Sequence, residues 1–187
     1  MAGTSSDIQI ASNSLILLGH EPISSFTEGT TGSQVASNLY ESSYNSMLVT
    51  YRWRFATKKA KLARLSETPL NDYSYQFQLP TDLMYLISAT SGTDYDIYED
   101  KLYSNQKIEE IDYIYKVAAD KLPAYYIKAL EFFLAMQFAI PITGDIDKMR
   151  AMKTLMEDQL RLARHSDSTQ RPADTLDDNP YSEARWA

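Results

Sequence analysis

The chain has 187 residues, 44% of them hydrophobic, which suits one domain with a real core and leaves room for only a small second one. Its formal net charge is −7, and no run of lysine or arginine forms the continuous basic stripe that phosphate-backbone affinity needs, so nucleic-acid binding is disfavoured. With no cysteine, disulfides, thiolate metal sites and cysteine nucleophiles are excluded together.

Tyrosine is over-represented, at 14 residues, and its large ring with a polar tip suits surfaces that are wet in one state and covered in another. The opening residues Met1 to Asp7 are polar and lack the charged-then-apolar layout of a secretion signal. Asp7 is then the expected N-cap of a first helix carrying Ile8, Ala11, Leu15 and Leu18 at helical spacing. Gly19 stands just past its end, with Pro22 soon after. Ser24 to Gly32 reads as a loop. A second helix is expected from Ser33, with Ala36, Leu39 or Tyr40, Tyr44, Met47 and Tyr51 along one face. Its continuation towards Leu65 would carry Trp53, Phe55, Ala56, Ala60 and Leu62.

After Pro69 the period changes to two. Tyr73, Tyr75, Phe77 and Leu79 alternate with Ser74, Gln76 and Gln78, the pattern of a half-buried strand closed by Pro80. Met84 to Ala89 predicts a second strand. Tyr95 to Tyr98 and Leu102 to Tyr103 predict a hairpin turning at Glu99-Asp100, and Ile111 to Val117 a last strand. Such short segments build a small antiparallel sheet.

Helix returns at Pro123, whose missing N–H suits a first-turn position. Leu122 to Ile142 is the most apolar stretch, interrupted by Lys128, Glu131 and Gln137. A membrane span needs about 20 largely apolar residues, so the expectation is a core helix covered from several directions and broken at Pro141 to Gly144. Asp145 or Asp147 caps a final helix with Met149, Met152, Leu155, Met156, Leu160 and Ala163 as its apolar stripe. Ser166 to Ala187 holds Pro172 and Pro180, several aspartates and almost no aliphatics, too little to fold alone. It ends, however, in Tyr181, Arg185 and Trp186, residue types that anchor interfaces, so a docking tail is expected.

The expected fold class is therefore α+β, in a single domain over residues 1–187. An antiparallel helical bundle (7–65 and 122–165) carries a small antiparallel β-sheet insertion (70–118) and an extended C-terminal arm (166–187).

Catalytic constellations fail on residues. His20 and His165 have no second ligand at metal spacing. The acids of Asp94 to Asp100 resemble a calcium loop but lack its glycine and its third acid, and an acidic-edged hairpin explains them better. No Gly-x-Gly-x-x-Gly loop and no Gly-x-Ser-x-Gly elbow occurs. No catalytic residue, metal ligand or cofactor is assigned. The one cationic cluster, Lys58-Lys59-Ala60-Lys61 with Arg52, Arg54 and Arg64, reads as a solvated helix face, a partner for an acidic neighbour or a transient DNA contact.

Four segments carry a resemblance. Leu15 to Phe26 runs Leu-Ile-Leu-Leu-Gly-His-Glu-Pro-Ile-Ser-Ser-Phe. Tyr51 to Ala56 runs Tyr-Arg-Trp-Arg-Phe-Ala, followed by Lys58, Ala60, Leu62 and Ala63. Tyr73 to Asp82 runs Tyr-Ser-Tyr-Gln-Phe-Gln-Leu-Pro-Thr-Asp. The chain closes on Glu183-Ala184-Arg185-Trp186. In this order they resemble the tail tubular protein A family, the head-to-tail adaptors of short-tailed phages (podoviruses). Where relatives often have His-Pro before the tryptophan, this chain has Tyr51-Arg52.

The resemblance implies a non-enzymatic structural protein of the virion tail, assembled in the host cytoplasm as a ring of about twelve subunits. That ring would lie between the portal protein and the tail nozzle protein, around a channel for DNA, and would allow a tail-fibre contact on the β region. It implies portal binding through the C-terminal arm, here Leu176, Pro180, Tyr181, Arg185 and Trp186. A tail-associated cell-wall hydrolase and a connector of a long-tailed phage are the rival readings.

Overall fold

The computed structural model describes residues 6–69, 72–90 and 94–170. Helix α1 spans Asp7–Leu17 and α2 Thr31–Val49; α3 spans Ala124–Thr143 and α4 Ile146–Ser168. Among the described residues between α2 and α3 lie six strands: β1 Thr57–Lys61, β2 Tyr75–Gln78, β3 Leu83–Ala89, β4 Asp96–Tyr98, β5 Lys101–Ser104 and β6 Glu110–Tyr115. The fold is α+β: a helical layer with an inserted β region, as the change of period at Pro69 predicts. The insertion holds two three-stranded antiparallel sheets, in orders β1-β6-β3 and β2-β5-β4. An isolated bridge between Arg64 and Phe77 ties the chain after β1 to β2.

The helices begin slightly earlier than their sequence signals suggest. Ser6, not Asp7, caps α1, its hydroxyl accepting from the Gln9 N–H at 3.2 Å. Asp7 is free to accept from the Tyr40 hydroxyl at 2.7 Å instead, which holds α1 against α2. Thr30 caps α2, so that helix starts at Thr31 and not at Ser33. Gly19 closes α1 at φ +77°, a conformation costly for residues with a Cβ, and its N–H donates to the Ile16 carbonyl. Gly32 has a different reason. A Cβ there would meet His20 and Leu15 at 3.0 to 3.2 Å, so its bare backbone lets the turn after α1 lie on the start of α2.

The expectation of helix over Trp53 to Leu65 is overturned. Helix α2 stops at Val49, residues Arg54–Ala56 form one 3-10 turn, and Thr57–Lys61 form β1, paired to β6 along its whole length. Trp53 causes the break. Its indole is fully buried, donates from Nε1 to the Met47 carbonyl at 3.3 Å, and packs edge-on to Tyr126 of α3. The ring can reach that site only if the backbone leaves the helix. The helical segment 7–65 therefore ends at 49, and the β region starts at 57 instead of 70.

Helix α3 runs straight through Pro141, which was expected to break it. Proline costs a helix one internal hydrogen bond and a clash with the carbonyl one turn back; only two helical residues, Ile142 and Thr143, follow Pro141, so the disturbance falls at the helix end. Termination falls instead to Gly144, at φ +65°, whose N–H donates to the Ile140 carbonyl at 2.9 Å. Asp145 then caps α4 by accepting from the N–H groups of Asp147 and Lys148. By length and composition α3 could cross a membrane. Here Tyr126, Ala129, Leu130, Leu134, Ala135, Phe138 and Ala139 are buried among α1, α2 and α4. Its buried Glu131 accepts from Asn13 of α1 at 2.6 Å and pairs with Lys128 at 2.9 Å.

Two hydrophobic clusters result. The larger joins the four helices to Trp53, Ile114 and Val117. The smaller, built on Phe77, Leu79, Leu86, Leu102, Ile108, Ile111 and Tyr113, fills the space between the two sheets. Strand β6 belongs to both: Ile111 and Tyr113 face the other sheet while Ile114 lies under the helices. The expected hairpin is present as β4–β5, with Glu99 in the left-handed region at φ +56° at the turn.

Helix α4 carries the predicted stripe in part. Met149, Met152, Met156 and Leu160 are half-buried and Ala163 is buried, whereas Leu155 is 43% exposed. The helix also outruns the expected boundary at 165 by three residues, so residues 166–168 belong to it and not to an arm. Leu176, Pro180, Tyr181, Arg185 and Trp186 lie outside the described residues.

Candidate functional site: a cleft between the helical and β layers

Where β1 and β6 emerge from beneath the helices, the sheet is left open beside the end of α4. A cleft of about 550 Å³ forms there, lined by Tyr51, Arg52, Arg54, Lys58, Lys59, Asp112 and Asp167, with Thr57 and Ser168. A shallower hollow of about 400 Å³ continues it across the same face to Ser88, Thr90 and Glu110, sharing Lys59 and Asp112. The alternation of β6 explains the opening. Ile114 is covered by the helical layer, but Asp112, two residues back on the same face, lies beyond its rim.

Of the cationic cluster read from the sequence, Arg52, Arg54, Lys58 and Lys59 border the cleft, from the 52–56 turn and from β1 and not from a helix face. Arg52 bonds Asp112 at 2.8 Å and Lys59 approaches the same carboxylate at 3.5 Å. Lys58 points to the other face, bonds Asp82 at 2.8 Å and sits over the Tyr115 ring at 3.7 Å. The Lys58 hydrogen bond pulls the Asp82 carboxyl below its usual range, and the same bond holds the Lys58 ammonium above its own. Arg64 is separated from the cleft; its guanidinium stacks on Tyr75 of β2 at 4.4 Å. Arg54 lines the cleft, and among the described residues its guanidinium has no carboxylate partner.

Asp167 is the residue that reading the sequence missed. It is 1% exposed and accepts from the Arg54 backbone N–H at 3.0 Å and from the Tyr125 hydroxyl at 2.8 Å. One carboxylate thereby fastens the last turn of α4 to the 54–56 turn and to α3. Burial, and then the bond to Asp167, push the Tyr125 hydroxyl well above the ordinary tyrosine range. Gln170 adds a bond to the same hydroxyl at 3.3 Å. Asp167 sits in a Ser-Asp-Ser run that looks like the start of a solvated tail, so no local signal marks it.

Among the described residues no group of three His, Cys, Asp or Glu is placed to hold a metal ion. His20 lies against the turn after α1, its Nδ1 3.1 Å from the Glu21 carbonyl oxygen, and His165 is exposed near the end of α4. What the cleft offers chemically is fixed positive charge beside an open sheet face, suited to carboxylate or phosphate groups brought by a partner. Comparison with models of protein families returns no match, and comparison with curated proteins returns none either.

Proposed function

We propose that the chain is a head-to-tail adaptor, a structural subunit of a ring between a phage portal and the tail nozzle, through which DNA passes. The observation that carries this reading is the ordered set of four segments resembling tail tubular protein A, from Leu15 to Trp186. Three of them fall on residues that set the architecture. Leu15 to Phe26 makes the Gly19 turn and buries Ile23; Tyr51 to Ala56 seats Trp53; Tyr73 to Asp82 contains β2 and ends in the turn that leads into β3.

The physics of such a role is consistent with the chain. The residues after Gln170 include Tyr181, Arg185 and Trp186. A segment that gains its order on the portal repays the ordering entropy there, so subunit contacts that are weak in free solution, and appear there only at raised concentration, close into a ring on the template. Net charge −7 also disfavours DNA sticking to a channel wall.

The test is co-elution with the portal by size-exclusion chromatography and light scattering. The control truncation belongs after Gln170 and not after His165, since the shorter cut would remove Asp167 and loosen α4. Co-elution of the whole chain, lost in the truncated one, is the expected outcome. A chain that ignores the portal refutes the reading, and a zymogram on cell-wall material then becomes the next assay.

A further inference from the structure

We infer that the basic cleft is the seat for the acidic β4–β5 hairpin of a second copy of this chain, giving a head-to-tail contact between neighbours. The two surfaces are complementary and lie on different parts of the same molecule. The cleft presents Arg54 and Lys59, the latter's side chain 74% exposed, with Arg52 and Lys58 beside them. The hairpin and its lead-in carry Asp94, Asp96, Glu99 and Asp100 against a single base, Lys101, which pairs with Tyr98, so acids outnumber bases there.

Strand β4 is also an edge. Among the described residues it pairs only with β5, and its residues Asp96, Ile97 and Tyr98 are all exposed. Ile97 and Tyr98, 42% and 54% exposed, are large side chains that a solvated hairpin has no need to display. Covered by a partner, they would supply apolar area and an aromatic anchor at the centre of a charged rim. The acids beside them keep two hairpins from pairing with each other, and the cations do the same for two clefts. Only the unlike pair is favourable. Unlike surfaces repeat around an axis and close a ring, whereas like surfaces stop at a dimer. This contact deepens the ring reading above and rests on it for closure.

The experiment uses the full chain, its mass followed by sedimentation across a wide range of concentration. One variant, Arg54→Glu with Lys59→Glu, makes the cleft acidic. A second, Asp94→Lys with Glu99→Lys, removes the hairpin's acidic excess and, with Lys101, leaves it slightly basic while sparing Asp96 and Asp100, which accept bonds from Tyr73 and Gln78. The wild-type chain should self-associate with rising concentration, and each variant alone should do so at least tenfold more weakly. An equal mixture of the two should recover association, which misfolded chains could not do. A wild-type chain that stays monomeric, reversals without effect, or no recovery on mixing overturns the contact. So does retardation of duplex DNA that the Arg54→Glu/Lys59→Glu variant loses, since the cleft would then serve phosphate groups. Portal co-elution that persists without self-association removes this contact and leaves the adaptor reading standing; the converse result removes only the adaptor reading.

Discussion

Asp167 shows how much one side chain can hold. Its carboxylate satisfies the Arg54 N–H and the Tyr125 hydroxyl, two donors on separate elements, from a position with almost no access to water. Removing it strands both donors, and each buried unsatisfied group costs about 1–3 kcal/mol. Asp167→Ala should therefore lower unfolding stability by about 3 kcal/mol in urea titrations, while Asp167→Asn, which keeps one acceptor oxygen, should lose less than half as much. Equal losses in the two variants would mean that burial of the side chain, and not its acceptors, matters there. Nothing near Asp167 in the sequence announces this, because both partners are remote in sequence.

At the scale of elements, Trp53 decides where helix gives way to strand. Its ring needs the site bounded by Met47, Tyr126 and Phe55, and the indole N–H needs the Met47 carbonyl. Trp53→Ala should cost about 4 kcal/mol, the range for truncating a large buried aromatic. It should also loosen β1, seen as faster amide exchange at Thr57 to Lys61 than at β2. If exchange at β1 stays as slow as in the unaltered chain, pairing with β6 is what holds the strand. The alternation Lys59, Ala60, Lys61 was a strand signal in plain view, but five residues cannot outweigh the helical pattern on either side. The hairpin β4–β5 and strand β2 were legible for the opposite reason. Each combines period-two alternation with its own punctuation, at Pro80 and at Glu99-Asp100.

Across the whole molecule the two clusters meet at β6, and the helical layer holds four tyrosines that folding takes largely out of water. Burial pushes Tyr40, Tyr44, Tyr125 and Tyr126 well above the usual tyrosine range, with the Asp7 and Asp167 carboxylates adding to the shift at Tyr40 and Tyr125. A phenol whose ionisation is raised by folding stabilises the folded state fully below its unfolded value, about 10. That contribution is lost as the pH rises towards the folded value. Stability should thus be unaffected by these groups at neutral pH and fall above about pH 10. The tyrosinate absorbance of the buried set should appear together with the loss of Trp53 fluorescence structure, in a Trp186→Phe background that leaves one tryptophan. Ionisation of these tyrosines ahead of unfolding would show that the helical layer admits water.

The sequence by itself determined the α+β class, the helix starts to within a few residues and the β4–β5 hairpin. These rest on local periodicity, caps and turn residues, which act within a few positions of each other. Tertiary structure alone decided that the chain turns into β1 after Trp53, that α3 continues through Pro141, and that Asp167 belongs to the fold. It also gathered Arg52 and Lys59 against Asp112 and placed Arg54 beside the end of α4. The reason is the same in each case: burial of one ring, one carboxylate or one helix face is set by elements far away in the chain, and that gain exceeds the local preference it overrides.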